Sequence, residues 1–262
     1  MISDENECVE FWSVAKERIK VFEKLDDAEV VFGARTRGHG HRYKALTTVT
    51  DKEILKFEEK NGFELPLEYR TFLQTFGAGG AGPYYGIYDF RKRVLPNTYT
   101  KPFPYSSTFE FTDDVKDDDP IWDYEGLAFI CEAGCGTDFY IELNGSNPGQ
   151  MWCSWTDECS TEGSFLEFYR AWLEKVDTGL HRYQLLKNIS NKKNWFGKSK
   201  KLELADVISH MQCKFEEQVF DGKNFVPEGQ IWVQFENTPG RVILNEKKEI
   251  LRIDIHDRCA IC

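Results

Sequence analysis

The sequence lacks long apolar segments and any signal for export. No apolar run approaches the roughly 20 residues that a membrane-spanning helix needs. The first seven residues, 1–7, are acidic, whereas the start of an export signal is basic. We therefore expect the protein to act in the cytoplasm, away from the membrane.

Basic residues are also in the minority. The 262-residue chain has 33 lysines and arginines against 44 aspartates and glutamates, which gives a formal net charge of −11. This charge repels nucleic acid, so we expect no direct nucleic-acid partner. It attracts a basic protein partner, although a general need for solubility explains the same charge. Aromatic residues make up 15% of the chain and can fill a substantial core.

The sequence contains no familiar reaction motif. A nucleophile elbow, a zinc-protease helix and a kinase signature are all missing. Gly77, Gly79 and Gly82 have dinucleotide-loop spacing, but they follow a predicted helix instead of a strand. The segment Gly197-Lys198-Ser199 lacks the earlier glycine of a phosphate-binding loop. We predict no cofactor and no catalysis, and we interpret the glycines as a tight loop where backbone approaches backbone. A Cys–His pair formed only on folding stays open as an alternative.

Metal-ligand spacing is incomplete. Six of the eight cysteines lie near another cysteine in sequence: Cys131, Cys135, Cys153, Cys159, Cys259 and Cys262. Only the first two and the last two have the close spacing of a zinc knuckle, and cytoplasmic cysteines usually stay reduced. His39 and His41 lie among arginines without a third ligand nearby. We predict no metal site, with structural zinc as the alternative.

Residues 50–76 predict two helices joined by a short turn. Thr50 and Glu53 have capping-box spacing, so the first helix is expected to begin at about Asp51. The dipeptide Asn61-Gly62 tolerates the left-handed conformation that ends a helix. Pro66 is expected to begin the second helix, because its missing N–H would be unbonded in the first turn. Four residues lie on one face of this helix: Tyr69, Phe72, Leu73 and Phe76.

Further patterns predict a helix at each side of a group of strands. Residues 4–25 have apolar side chains at helical spacing: Cys8, Phe11, Trp12, Ala15, Ile19 and Phe22. Segments 127–131, 139–143 and 151–155 have the composition of strands. Ser164 and Glu167 form a second capping box. The helix that it opens has one apolar side: Phe165, Tyr169, Trp172 and Val176.

The order of these features resembles the SUKH superfamily, which is named for the yeast Smi and Knr cell-wall regulators and is common among bacterial immunity proteins. Two blocks of matching residues contain Glu58, Leu65, Pro66, Tyr69, Gly79, Gly80, Gly82, Pro83, Tyr84, Gly86, Gly134, Gly136, Asp138, Gly149 and Trp152. The helix that begins at Phe165-Leu166 forms a third block. The resemblance implies an α+β fold, with a central β-sheet, helices packed around it and no active site.

The chain is expected to have three parts. Residues 1–29 form the N-terminal amphipathic helix packed on the core, 30–180 the SUKH-like domain, and 181–262 a C-terminal α/β appendage. In the appendage we expect a helix over 202–220 and strands over 230–235, 241–244 and 250–255. The lysine-rich stretch 187–201 is interpreted as a linker, with a phosphate- or base-binding patch as the alternative.

The acidic stretch before Pro120 predicts a loop. It contains five aspartates: Asp113, Asp114, Asp117, Asp118 and Asp119. The loop is interpreted as solvated, with a partner-facing surface and a calcium loop as alternatives; it lacks the glycine and the ligand alternation of a calcium loop. Aromatic residues are frequent interface anchors, so our candidate partner contacts are this loop with Tyr84, Tyr85 and Trp122.

The resemblance favours an immunity protein that neutralises a cognate toxin by direct binding, and the negative charge of the chain favours a toxin with a basic surface. A regulatory or adaptor protein of the Smi/Knr type is the alternative, because members of one fold have different partners. An enzyme that uses cysteine or metal chemistry is the third hypothesis, and it has the least support in the sequence.

Overall fold

The computed structural model describes residues 4–35, 40–92, 99, 101–110, 125–155, 158–195, 202–219 and 226–255. The helices of these residues are α1 (Glu5–Leu25), α2 (Asp51–Asn61), α3 (Leu67–Thr75), α4 (Phe165–Trp195) and α5 (Leu204–Met211). The strands are β1 (Phe109–Glu110), β2 (Leu127–Gly134), β3 (Thr137–Glu142), β4 (Gln150–Trp155), β5 (Glu158–Ser164), β6 (Phe215–Val219), β7 (Gln230–Phe235), β8 (Gly240–Asn245) and β9 (Ile250–Ile255). They form two antiparallel sheets with the order β1-β5-β4-β3-β2 and β6-β7-β8-β9. The predicted α+β class, a central sheet with helices packed around it, is confirmed.

The chain divides into two compact units. The first consists of residues 1–21 and 33–173, and the second of residues 22–32 and 174–262. The three-part organisation expected from the sequence stays a prediction. Within the described ranges, no helix has both the length and the apolar character that crossing a bilayer requires.

Helix α1 confirms the predicted N-terminal helix to within one residue at its start. Asp4 accepts hydrogen bonds at Oδ1 from the backbone N–H groups of Asn6, at 2.7 Å, and Glu7, at 3.4 Å, and so satisfies donors that have no partner within the helix. In the first unit, four side chains of the apolar stripe are buried: Cys8, Trp12, Ala15 and Ile19. The spacing of the sequence pattern therefore locates the buried face of the helix.

The capping box of α2 is present as predicted. The Thr50 hydroxyl accepts a hydrogen bond from the Glu53 N–H at 3.3 Å, and the Glu53 carboxylate accepts one from the Thr50 N–H at 2.9 Å. Gly62 ends the helix in the left-handed region, at φ 77°. Pro66 is the N-cap residue of α3, and the first helical residue is Leu67, so the helix begins one residue later than predicted.

Trp12 lies at the centre of the core of the first unit. Its indole N–H donates to the Glu68 carbonyl oxygen at 3.1 Å and to the Thr71 hydroxyl at 3.2 Å. Four further rings have centroids between 5.0 and 6.5 Å from the indole: Phe72, Phe76, Phe165 and Tyr169. This aromatic cluster joins α1, α3 and the start of α4.

The glycine-rich loop after α3 is a site of close backbone contact, as the sequence predicted. Gly80 exchanges two backbone hydrogen bonds with Ile87, each 2.7 Å long. Its φ is +100°, and a Cβ atom there would lie 2.2 Å from the carbonyl oxygen of Lys44. A side chain at this position would therefore collide with backbone atoms that cannot easily move.

The first sheet contains the three predicted strands as β2, β3 and β4, and two strands, β1 and β5, that the sequence patterns did not predict. One face packs on a cluster of buried residues: Phe103, Leu127, Tyr140, Trp152 and Cys159. On the other face, Phe139 contacts Phe168 of α4 with ring centroids 4.9 Å apart. The second predicted capping box opens α4, with the Ser164 N–H 2.9 Å from the Glu167 carboxylate.

The second unit corrects two predictions. Residues 187–195 belong to α4, so this part of the lysine-rich stretch is helical and the linker interpretation is wrong there. The helix expected over 202–220 ends at Met211, because Gln212 adopts a left-handed φ of 48°, and β6 follows. The three later strands are confirmed as β7, β8 and β9, with a core of Leu186, Val207, Met211, Val233, Phe235, Val242 and Leu244.

Candidate partner-binding surface

Most of the predicted partner contacts cannot be placed. Asp113, Asp114, Asp117, Asp118, Asp119 and Trp122 lie outside the described residues. Tyr84 and Tyr85 are described, and both are half-buried. The Tyr84 ring stacks on Phe139 with centroids 5.1 Å apart and an interplanar angle of 16°. Tyr84 therefore contributes to packing against the sheet.

Tyr85 lies at one end of the five-stranded sheet. Its backbone N–H is 3.4 Å from the Glu132 carbonyl oxygen. A Cβ atom at Gly134 would lie 3.4 Å from the Tyr85 hydroxyl oxygen, so the ring lies beside the turn between β2 and β3. Cys135 at the tip of this turn is exposed, with φ 54°. Tyr85, one of the predicted partner contacts, thus lies at the end of the sheet where β2 and β3 are joined.

The residues of the family motif mostly build the fold. The buried ones are Glu58, Leu65, Tyr69, Gly79, Gly82, Pro83, Gly149 and Trp152. The half-buried ones are Pro66, Gly80, Tyr84, Gly86, Gly134 and Asp138, and Gly136 is exposed.

Two buried motif residues make specific polar contacts. The Glu58 carboxylate accepts hydrogen bonds from the Leu65 N–H at 2.8 Å and from Arg70 at 2.9 Å. The Trp152 indole donates to Glu142 at 3.2 Å, and burial raises the pKa of that carboxyl. These contacts hold loops to helices and strands, so they explain the motif as a structural one.

Asp138 is a motif residue whose surroundings favour a role other than stabilising the fold. It lies directly opposite Glu132 on β2 and opposite Ser154 on β4. Burial and, secondarily, the charge of Glu132 raise the pKa of Asp138 above its usual value. The Tyr140 hydroxyl is 3.5 Å from the Asp138 carboxylate, at the limit of a hydrogen bond. Two carboxylates thus face each other across neighbouring strands, an arrangement that destabilises a sheet.

A second pair of carboxylates lies at the same end of the sheet. Glu110 on β1 is directly opposite Glu158 on β5. Both side chains are exposed. Since β5 also pairs with β4, and β4 with β3, the register brings all four carboxylates to one end of the sheet. Side chains alternate between the two faces of a strand, so Glu132 and Asp138 lie on one face and Glu110 and Glu158 on the other. We call Glu110, Glu132, Asp138 and Glu158 the acidic sheet end.

An exposed tryptophan lies at the acidic sheet end, on the face that carries Glu110 and Glu158. Trp155 ends β4, opposite Glu158, and 62% of its surface is exposed. This is the largest exposed fraction among the large apolar residues that the structure describes. A tryptophan on a protein surface is a typical anchor of protein interfaces, because burying its large ring contributes strongly to binding.

Among the residues that the structure describes, no basic side chain neutralises the acidic sheet end. No described lysine, arginine or histidine forms an ion pair with any of its four carboxylates. Elsewhere in the first unit such pairs do occur: Glu53 with Arg91 and Glu58 with Arg70, each at 2.9 Å. Unpaired carboxylates at a sheet end that also carries an exposed indole can be complemented by a cationic protein partner that binds this end.

A sequence model of the SMI1 / KNR4 family (SUKH-1) matches residues 48–179, about half of the chain. The chain belongs to this family. The match confirms the resemblance read from the sequence and contains all four carboxylates of the acidic sheet end. Neither the curated proteins nor the solved structures include a significant match.

Other chemistry considered for this SMI1 / KNR4 family member has little geometric support. In the described parts of the chain, no group of three or more histidine, cysteine, aspartate or glutamate side chains is placed to hold a metal ion. Burial raises the pKa of the Cys131, Cys153 and Cys159 thiols, which lowers their reactivity. His41 is buried, and burial lowers its pKa to about 4. His39, Cys259 and Cys262 lie outside the described residues.

Sequence reasoning did not identify Glu110, Glu132, Glu158 and Trp155. Each is an ordinary residue in its local sequence, and the pairing of strands brings them together. Trp155 could have been noticed as the last residue of a predicted strand, next to a turn. The like-charge pairs depend on register, for which the sequence pattern of β5 gives no signal.

Proposed function

We propose that this chain is a bacterial immunity protein that neutralises a cognate toxin by direct binding in the cytoplasm. It acts by occupying the toxin surface and performs no catalysis. The acidic sheet end is the proposed contact surface, and the toxin surface that it binds is basic. The single observation that carries the proposal is the two directly opposed carboxylate pairs, one on each face of the sheet end that carries exposed Trp155.

Opposed like charges support a binding role because they oppose folding. Each such pair costs the sheet a fraction of a kcal/mol, about 0.2–1. A cationic partner removes this cost when it binds, so the repulsion stored in the free protein adds to the preference for a basic surface. Proteins commonly retain such locally unfavourable arrangements at functional sites.

The overall charge supports the same conclusion. A net charge of −11 creates a negative field that accelerates the approach of a basic partner. An antidote benefits from fast association, because free toxin acts until it is bound. Salt screens this attraction, so the association rate of the complex is expected to fall as ionic strength rises.

The proposal is tested by co-expressing the chain with the product of each adjacent gene and scoring growth and co-purification. A rescued pair is then measured with four variants: Trp155→Ala, the double variant Glu132→Gln with Asp138→Asn, and two controls. The controls are Leu55→Ala, whose side chain is 48% exposed, and Glu10→Gln with Glu59→Gln, at exposed positions.

We expect Trp155→Ala to weaken binding by at least about 2 kcal/mol, as for an interface hot spot. The carboxylate double variant should lower the association rate and its dependence on salt, while both controls behave as wild type. Rescue that is unaffected by every sheet-end variant would reject this contact surface. Recovery of a non-toxic partner, with no neutralisation of any neighbouring product, would favour the regulatory or adaptor function.

A further inference from the structure

The second unit presents an open strand edge. In the order β6-β7-β8-β9, β6 is terminal, and all five of its residues are exposed. No described strand pairs with its outer side. An edge of this kind offers backbone N–H and C=O groups to any extended chain that can align with it.

The hydrogen-bond pattern identifies which backbone groups are offered. The Lys214 carbonyl oxygen accepts a hydrogen bond from the Glu236 N–H at 2.9 Å, so the residue before β6 faces β7. In an antiparallel pair, successive residues alternate between facing the partner strand and facing away. Glu216 and Gln218 therefore bond to β7, and the N–H and C=O groups of Phe215 and Glu217 point outward.

An open cavity lies at the beginning of the same strand. Its volume is about 430 Å³, and Phe215, Glu216, Phe235 and Glu236 are among its lining residues. The Phe215 ring is 41% exposed and contacts Phe235 with centroids 6.0 Å apart. The cavity lining therefore combines aromatic rings with two glutamates, Glu216 and Glu236, and one lysine, Lys214.

The charges of β6 determine which occupant fits. Glu216 and Gln234 are opposite each other on one face, and Glu217 is on the other face with Val233. Glu217 is already paired with Lys248, at 3.0 Å, whereas Glu216 has no described ion-pair partner. A second copy of β6 would bring glutamates against glutamates, which is unfavourable. A strand with basic residues at alternate positions would instead meet Glu216.

We propose that β6 binds an extended segment of a protein partner, in which basic side chains alternate with apolar ones. The segment adds a fifth strand to the second sheet. Its backbone bonds to Phe215 and Glu217, its basic side chains face Glu216, and an apolar side chain enters the cavity beside Phe215. The proposal does not depend on toxin neutralisation and concerns a different unit from the acidic sheet end.

The test uses the full chain and a short peptide in which valine alternates with lysine, with a fluorescent label at its N-terminus and an amidated C-terminus. Binding is followed by fluorescence anisotropy up to about 1 mM protein, a range that includes weak peptide complexes. Hydrogen exchange of the Phe215 and Glu217 amides is measured with and without the peptide. Two further peptides carry N-methyl groups on one or the other alternate set of residues.

We expect saturable binding, slower exchange at Phe215 and Glu217, and loss of binding with only one of the two methylated peptides. The variant Glu216→Lys should weaken binding about fivefold or more, because an attraction becomes a repulsion. The matched control Glu228→Lys makes the same charge change at an exposed position of the same unit and should leave affinity unchanged. Substitutions at the acidic sheet end should also leave it unchanged.

Three outcomes would overturn the proposal. The first is absence of binding, or binding without protection of the two amides. The second is equal weakening by Glu216→Lys and Glu228→Lys, which indicates non-specific attraction between charges. The third is amide protection without peptide that increases with protein concentration, which indicates that a second copy of the chain occupies the edge.

Discussion

Relieving the charge repulsion at the acidic sheet end should stabilise the protein while it weakens binding. Asp138→Asn and Glu132→Gln each remove one charge from the opposed pair and keep the shape of the side chain. The amide oxygen of the new Asn can still accept the weak hydrogen bond from Tyr140. Because surface substitutions usually destabilise or have no effect, a gain in stability would be informative.

The expected magnitude follows from the position of the pair. Directly opposed side chains in an antiparallel sheet lie about 4.5–5.5 Å apart at Cβ, and such pairs are worth about 0.2–1 kcal/mol. Since Asp138 is only half-buried, solvent screens part of the repulsion. We therefore expect Asp138→Asn to raise the free energy of unfolding by about 0.5 kcal/mol. This corresponds to a rise of about 1–2 °C in Tm.

A double-mutant cycle separates the repulsion from other effects. The double variant should gain less than the sum of the two single variants, because one repulsion can be relieved only once. Urea unfolding followed by tryptophan fluorescence is the appropriate assay, since guanidinium is a salt and would screen the charges. Glu10→Gln and Glu59→Gln, two exposed changes on different helices, provide an additive control cycle.

The pH dependence has a defined sign. The pKa of Asp138 is raised in the folded state, so its ionised form destabilises the fold above that pKa. This cost declines as pH falls through the raised pKa, and it is absent below the ordinary value of 3.8. The advantage of Asp138→Asn should therefore be present at pH 7 and vanish below pH 3.8. A destabilised variant, an additive cycle or an advantage that persists in acid would refute the reasoning.

Three further predictions concern the structure of the first unit. Glu58→Ala should destabilise it by about 2–3 kcal/mol in urea unfolding, because a buried N–H and a guanidinium lose their acceptor. Gly80→Ala should cost about 3 kcal/mol or more, from backbone collision and strain, whereas Gly136→Ala, which has open space around its Cβ, should cost about 1 kcal/mol. Arg91→Met should raise the carboxyl pKa of Glu53 from about 2 towards 4.5, which an NMR titration measures. In wild type, the stability that comes from the lowered pKa is lost as pH falls from 4.5 to about 2, and the variant should lack this contribution.

Each of these predictions has a result that contradicts it. Equal effects of the two glycine substitutions would mean that the backbone contact at Gly80 is not tight. If Glu58→Ala lowers the free energy of unfolding by less than about 1 kcal/mol, water must accept the hydrogen bonds that the carboxylate accepts in wild type. An unchanged Glu53 titration after Arg91→Met would mean that the pair is not formed in solution.

Local chemistry made much of the first unit predictable. Thr50 and Glu53 identify the start of α2 because a capping box needs only a four-residue spacing. The apolar stripe of α1 locates Trp12 in the core for a similar reason: helical periodicity is a property of contiguous sequence. The glycine loop was recognisable because few other residues tolerate its backbone angles.

Pairing between distant segments was not predictable in the same way. The sequence of β5 has no clear alternation of apolar and polar residues, and with β5 missing, Glu158 could not be placed opposite Glu110. The apolar spacing over 202–211 continues far enough beyond Met211 to suggest a longer helix, but β6 gains hydrogen bonds from β7 that a helix would forgo. Pairing with a neighbouring strand overrides local propensity there.

The lysine-rich end of α4 shows the opposite error. Charge suggested a linker, but Leu180, Tyr183 and Leu186 continue the buried stripe up to this stretch, and Ile189 within it packs against the core of the second unit. Within the second unit, Asp27 accepts a hydrogen bond from the Tyr183 hydroxyl at 2.5 Å and forms an ion pair with Lys187. A few buried residues are sufficient to extend a helix through a charged sequence.

Trp12 lies outside the segment that the family model matches, yet it is part of the core of the first unit. The family match begins at residue 48, but the indole at the centre of the aromatic cluster comes from α1. A fragment trimmed to residues 48–179 would lack the largest ring of this aromatic cluster and would leave Thr71 and Phe72 beside an empty volume. Removing a large buried ring costs about 3–5 kcal/mol, a large share of the stability of a typical domain. Fragments intended for expression or for binding assays should therefore start before Glu5, although the family match begins only at residue 48.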